Sequence, residues 1–174
     1  MQDAQELLRG TAAEGLSLAD LIQVAGAHAV AITGGPSIRV PLGRLDAPLA
    51  DPAGRMPEES LDGTAMREHF ASSGFSAREL VALAGAHTIG GKGFGEPLRF
   101  DNSYFKTLLA APWGDPRSPA AEQSHIGLAS DRLLTLDPEC KKWVEAYAAD
   151  EALWFADFAE AYVKMGRAGA VFPN

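Results

Sequence analysis

The residue with the clearest chemical potential is His87, near the end of a capped stretch at residues 76–90. An imidazole ring can bind a metal ion or exchange protons near neutral pH. Leu80, Leu83 and Ala84 recur with His87 at i, i+3, i+4 and i+7, which predicts one helix face. The pattern leaves two roles open: a ring that points away from the backbone towards a bound group, or a core histidine that donates to a carbonyl.

Local signals define the helix that positions this histidine. Ser76 followed three residues later by Glu79 predicts a capping box at the start. Gly90 and the glycine after it predict the end. Gly85 and the neighbouring alanines are small, so we expect room there for a flat group to approach closely.

Length and composition exclude several classes of protein. The 174 residues carry 47% hydrophobic and 22% charged residues, which predicts one globular domain over residues 1–174. A formal charge of −8 argues against nucleic acid as a partner, because that binding depends on neutralising phosphates. No apolar run is long enough for a membrane span. Cys140 is the single cysteine, so we expect neither disulfides nor a thiolate metal cluster.

The remaining pattern is mostly helical. The predicted helices, besides the one ending near His87, cover residues 2–9, 18–32, 61–72, 101–110, 139–149 and 150–166, with long loops at 46–60 and 111–128. Leu18, Leu21, Ile22, Ala25 and Ala29 share one face of the second helix. The aromatic residues of the last two helices, at helical spacing, are expected in the core; they are Trp143, Tyr147, Trp154, Phe155, Phe158 and Tyr162.

Several ordered blocks of sequence match one known family. The blocks are residues 19–36, 41–46 with a Gly-Arg-x-Asp turn, 79–90, 100–105, 128–131, 154–161 and 163–166. In this order they resemble the plant-type haem peroxidases, and among these the ascorbate peroxidases and ascorbate-peroxidase-related proteins. The resemblance implies an all-α, haem-peroxidase-like fold, represented here by its central and proximal portion. It also implies hydrogen-peroxide-dependent oxidation in the response to oxidative stress.

The resemblance assigns a role to the opening histidine. His87 matches the proximal ligand of the iron of haem b, which binds through Nε2. Asp131 matches the buried carboxylate that accepts a hydrogen bond from Nδ1 of that histidine. Thr88 and Asp101 match positions that contribute to a proximal K⁺ or Ca²⁺ site. His28 matches no functional position, so we expect it to serve packing.

The chain departs from the ascorbate peroxidases in one loop. Residues 91–97, Gly-Lys-Gly-Phe-Gly-Glu-Pro, are shorter than the corresponding segment and omit its proximal tryptophan and its ascorbate-contacting arginine. Trp113 follows the 100–105 block and is therefore not that tryptophan. The short loop resembles the ascorbate-peroxidase-related branch, so ascorbate is not expected as the reductant.

A second departure concerns peroxide cleavage. The family uses a distal Arg-x-x-(Phe/Trp)-His segment, in which histidine moves a proton and arginine stabilises the departing charge. No arginine stands four residues before any of the four histidines; those positions hold Val24, Ala65, Leu83 and Ala121. We therefore expect no catalytic residues in this chain and little or no peroxidase activity as it stands.

Two interpretations remain open. The chain is either the proximal part of a larger peroxidase or a non-catalytic pseudo-peroxidase that serves as a structural or binding subunit. In both, a partner surface is expected to cover the haem face and the apolar helix faces. Residues 1–9 are acidic and show no targeting signal, and the family favours an intracellular location, in the plastid or the cytosol.

Overall fold

The computed structural model describes residues 6–11, 13–110 and 126–173. Within those ranges the backbone forms helices, turns and irregular segments and no β-strand, which confirms the predicted all-α fold. Half of the predicted 2–9 helix and most of the 111–128 loop, with Trp113 and His125, lie outside the described residues. The assignment of residues 1–174 to a single domain stays a prediction.

Five of the seven described α-helices begin where a short polar side chain caps them. The α-helices are α1 (Leu18–Ile32), α2 (Gly63–Ser72), α3 (Ala77–Ala84), α4 (Ser103–Ala110), α5 (Ala129–Leu133), α6 (Pro138–Ala149) and α7 (Glu151–Arg167). The side chains that accept from first-turn N–H groups are Ser17, Asp62, Ser76, Asp137 and Asp150. The predicted capping box between Ser76 and Glu79 is present. Helix α2 begins at Gly63 rather than at the predicted Leu61, because Asp62 provides its cap.

Helix α3 lies at the centre and packs against α6 and α7. The indole of Trp154 is fully buried and stacks on Phe100, with ring centroids 4.7 Å apart. Its N–H donates to the carbonyl of Ala82 in α3 over 3.0 Å. Of the aromatic residues predicted for the core, Tyr147, Trp154 and Phe158 are buried, and the other three pack against them.

A carboxylate in α7 provides a second attachment for α3. Asp157 accepts two hydrogen bonds from Arg78, of 2.7 and 2.6 Å, and one of 2.7 Å from the hydroxyl of the buried Tyr147. The start of α3 is thereby fixed to α6 and α7 by a paired charge as well as by apolar contact.

A buried ion pair attaches α1 to the rest of the molecule. Arg44 Nη1 lies 2.9 Å from Asp20 Oδ1, and Arg44 Nε donates to the carbonyl of Gly166 over 2.6 Å. The apolar face predicted for α1 is therefore not the buried one. The helix buries Asp20, Ala27 and Val30, because Asp20 must face Arg44, while Ile22 stays half exposed.

The pKa of Asp20 couples this ion pair to pH. Burial alone would raise it, but hydrogen bonds from the Gly43 N–H and from Arg44 lower it below its ordinary value. A carboxyl with a lowered folded-state pKa stabilises the fold above its unfolded pKa. That contribution is lost as the pH falls through the folded-state pKa.

We expect Asp20→Asn to lower the free energy of unfolding by about 3 kcal/mol at pH 7, because it leaves the buried Arg44 charge uncompensated. The difference between variant and parent should shrink below about pH 4, where the unfolded carboxyl protonates. Urea unfolding at pH 7 and pH 3 measures both. Asp51→Asn, in the exposed pair with Arg55, is the control and should change little. Equal losses in the two variants would contradict a structural role for the Asp20–Arg44 pair.

Candidate functional site

The histidine lies in a 3₁₀ turn, Gly85–Thr88, and not in the last turn of an α-helix as the sequence predicted. Helix α3 already ends at Ala84. A Cβ on Gly85 would lie 2.7 Å from Phe105 and from the Trp154 indole. The flat group that Gly85 accommodates is therefore this indole, and not a bound molecule. The turn that carries His87 is thereby seated directly on the aromatic core.

A buried carboxylate faces one nitrogen of the histidine ring. Nδ1 of His87 lies 2.8 Å from Oδ1 of Asp131, and their side chains are 37% and 3% exposed. Because a carboxylate only accepts hydrogen bonds, it selects the ring tautomer that carries its proton on Nδ1. Nε2 is then the nitrogen with a lone pair available to a metal. The structure thus brings together the two residues, 44 positions apart, that the family resemblance paired.

The backbone fixes the position of this carboxylate. Asp131 lies in the first turn of α5, and its Oδ2 accepts the N–H of Leu128 over 2.7 Å. Gly127 has a φ of +67°, and a Cβ there would overlap Phe94 and lie 3.2 Å from Asp131 Oδ2. The carboxylate is therefore held by a tight turn that has room for a glycine alone.

Tyr104 is a member of the site that the sequence did not single out. Its hydroxyl donates to Asp131 Oδ1 over 2.9 Å, so one oxygen atom faces both the tyrosine and His87. The side chain is fully buried, and its ring packs edge-on against Phe94 and Phe105. Burial and the Asp131 charge raise the pKa of Tyr104 well above its ordinary value, which keeps the hydroxyl protonated and a donor. The residue lies in the matching 100–105 block, but nothing in that block indicates Asp131 as its partner.

The histidine borders an apolar cavity of about 340 Å³. Leu80, Leu83 and Ala84 of α3, with Met66 and Phe70 of α2, form much of its wall. Met56 and Pro57 of the irregular loop at residues 46–60 lie at its edge. Glu59, Ser130 and Asp131 also line it, but most of the wall is apolar, and such a wall with an imidazole suits a flat, largely hydrophobic ligand that carries a metal ion. The predicted helix face of Leu80, Leu83, Ala84 and His87 therefore faces this cavity.

The two residues predicted for a cation site lie next to each other, but their oxygens already have protein partners. Thr88 Oγ1 donates to Asp101 Oδ1 over 3.3 Å, and that oxygen also accepts from the Ser103 N–H. Asp101 Oδ2 lies 3.2 Å from Nε of Arg99. Among the described residues no group of three or more His, Cys, Asp or Glu could hold a metal ion. The K⁺ or Ca²⁺ site stays a prediction.

The other described histidines lie away from this cavity. His28, expected to serve packing, is exposed on α1, beside a shallow cleft formed with residues 37–42. His69 is intermediate in burial and its Nε2 lies 3.0 Å from the carbonyl of Arg55. His87 is thus the described histidine that has a buried carboxylate partner.

Together these features define an all-α protein with a histidine–carboxylate pair beside an apolar cavity. A family model described as peroxidase matches residues 1–96, and the chain belongs to the peroxidase family. His87 and Thr88 lie inside this match, and Asp131 lies beyond it.

Curated relatives extend the similarity over most of the chain. "Putative L-ascorbate peroxidase 6" of Arabidopsis thaliana is 51% identical over 155 residues, covering 89% of this chain and 46% of the relative. "L-ascorbate peroxidase 2, cytosolic" of Oryza sativa subsp. japonica is 39% identical over 88% of this chain and 62% of its own length. "Probable L-ascorbate peroxidase 3, peroxisomal" of the same rice subspecies is 36% identical over 91% of this chain and 55% of its own length.

The chain spans about half the length of the relatives it matches, from 46% to 62% of these three. Those names place relatives in the cytosol and the peroxisome, and a plastid or cytosolic location for this chain stays a prediction. None of the helices in the described ranges has the length and apolar character needed to cross a bilayer.

We expect Gly85→Ala to lower the free energy of unfolding by about 1–3 kcal/mol, because the added methyl group overlaps Trp154 and Phe105. Gly91→Ala is the matched control: a Cβ at Gly91 meets nothing within 4 Å. Urea unfolding of both variants measures the difference. Equal stability of the two would show that the turn is not seated on the core as described.

Proposed function

We propose that the chain forms the proximal side of a haem site, with Nε2 of His87 as the ligand of the iron of haem b. The observation that carries the proposal is the 2.8 Å contact between His87 Nδ1 and the buried Asp131. This contact orients the ring and leaves Nε2 for the metal. The largely apolar lining of the cavity beside the ring suits the face of a flat macrocycle, and membership of the peroxidase family supports haem as the group.

Each residue of the site has a distinct part in this proposal. Haem bound there would supply an iron centre that hydrogen peroxide can oxidise. His87 would bind that iron, and Asp131 would hold the imidazole in one tautomer and raise its basicity. A more basic imidazole favours the oxidised metal, which is the state that a peroxidase needs. The leucines and Ala84 would keep water from the proximal side.

The chain is also proposed to turn over peroxide poorly when it acts without another segment. None of its four histidines has an arginine four residues before it, so the residues described contain no Arg-x-x-(Phe/Trp)-His arrangement. Positioned acid–base groups contribute about 10²- to 10⁴-fold to such reactions. A distal arginine and histidine supplied by another segment or another chain would restore this contribution.

A second candidate function is that of a binding or structural subunit. The apolar surface of α1 favours it: Ile22, Val24 and Ile32 are 50%, 39% and 69% exposed, and the nearby Leu42 is 52% exposed. Val24 and Leu42 line one cleft, and exposed apolar residues that share a surface are typical of a contact site for a partner. In this alternative the cavity beside His87 is a remnant and does not bind haem, so haem binding separates the two candidates.

We expect haem titration of the purified chain to give a Soret band typical of a histidine-bound iron. His87→Ala should weaken haem binding by at least about tenfold and change the band, because the ligand is removed. His28→Ala, which removes an exposed histidine of α1, is the control and should bind haem as the parent does. An unchanged band and affinity in His87→Ala would overturn the assignment and favour the subunit.

We expect the haem-loaded chain to oxidise guaiacol with hydrogen peroxide at least about 100-fold more slowly than an ascorbate peroxidase relative measured beside it. The reason is the missing proton-transfer pair, and steady-state absorbance at several peroxide concentrations measures the difference. Comparable turnover would contradict the proposal that this chain needs a distal segment from elsewhere.

A further inference from the structure

One oxygen atom of Asp131 lies between two donors. Oδ1 is 2.8 Å from Nδ1 of His87 and 2.9 Å from the hydroxyl oxygen of Tyr104. The other carboxylate oxygen is occupied by the N–H of Leu128. The hydrogen bond of the tyrosine therefore acts on the same atom that orients the histidine.

A second donor changes how strongly an oxygen accepts the first. Hydrogen bonds to a carboxylate are strong because the acceptor is charged, and each donor withdraws part of that charge. Two donors on one acceptor oxygen compete for its charge, unlike the donor–acceptor chains in which successive hydrogen bonds strengthen one another. The Tyr104 hydroxyl should therefore weaken the pull of Asp131 on the Nδ1 proton of His87, and this in turn reduces the electron density on Nε2.

We propose that Tyr104 is a positioning residue that, through Asp131, sets the strength of the His87 Nδ1–H hydrogen bond and with it the donor strength of Nε2. Its effect on the histidine is a property of the apoprotein. Its consequence for bound iron rests on the proposed function.

The hydroxyl can be separated from the packing of the ring. Phe94 and Phe105 contact the tyrosine ring edge-on, with centroids 4.6 and 5.0 Å away. A phenylalanine keeps those contacts and removes the donor to Asp131. Tyr147 offers a matched comparison: it is equally buried, and its hydroxyl donates over 2.7 Å to Asp157, a carboxylate that does not contact His87.

The first test needs no haem. In the ¹⁵N-labelled apoprotein, the Nδ1 proton of His87 should resonate downfield because it is bound to a carboxylate. Tyr104→Phe should move this resonance further downfield, and Tyr147→Phe should leave it where it is in the parent. The proposal would be overturned if the Nδ1 proton resonance did not move in Tyr104→Phe. It would also be overturned if Tyr147→Phe moved that resonance equally.

If Tyr104→Phe does not fold, a second variant tests the same proposal. Incorporation of 3-fluorotyrosine at position 104 keeps the ring and makes the phenol a stronger donor. The Nδ1 proton resonance should then move upfield, opposite to the shift in Tyr104→Phe. A downfield shift or none would overturn the proposal.

The second test uses the haem-loaded chain. In the ferrous state the iron–histidine stretching frequency, read by resonance Raman, should rise in Tyr104→Phe and stay at the parent value in Tyr147→Phe. If Tyr104→Phe keeps the parent frequency while His87→Ala loses haem binding, the proposed role of Tyr104 is wrong and the haem assignment stands. Unchanged haem binding in His87→Ala would overturn the haem assignment, and the apoprotein measurement alone would then decide the role of Tyr104.

Discussion

The site depends on the hydrogen bonds that the carboxylate of Asp131 accepts. This carboxylate accepts from His87, from Tyr104 and from the backbone of Leu128, and so joins the 3₁₀ turn, α4 and the start of α5 at one buried point. A buried carboxylate with fewer donors would be costly, because its charge has left water without compensation. The three donors offset that cost, and they also fix where the histidine ring points.

The aromatic core supports this arrangement through Gly85, at the start of the turn. Gly85 lies against the indole of Trp154, and that indole also donates to Ala82 in α3. Gly85 of this turn thus contacts the aromatic core, and His87, two residues further on, borders the cavity. A shift of the core at this point would move His87 relative to Asp131, so packing and the geometry of the site are coupled.

Local parts of the structure could be predicted from sequence, because they depend on neighbouring residues. The capping box of Ser76 and Glu79 and the helical pattern of Leu80, Leu83 and His87 are examples. Contacts between distant residues could not be predicted in the same way. No periodicity shows that Gly85 faces Trp154 or that Tyr104 donates to Asp131. The pairing of His87 with Asp131 came from the family resemblance, since no local pattern links positions 44 residues apart.

Membership of the peroxidase family and the geometry at His87 support a haem site of which this chain forms the proximal side. The measurement that tests this most directly is a crystal structure of the chain loaded with haem. We expect Nε2 of His87 to lie within bonding distance of the iron, with Nδ1 still hydrogen bonded to Asp131. Iron bound by any other residue, or a His87 ring turned away from Asp131, would contradict that expectation.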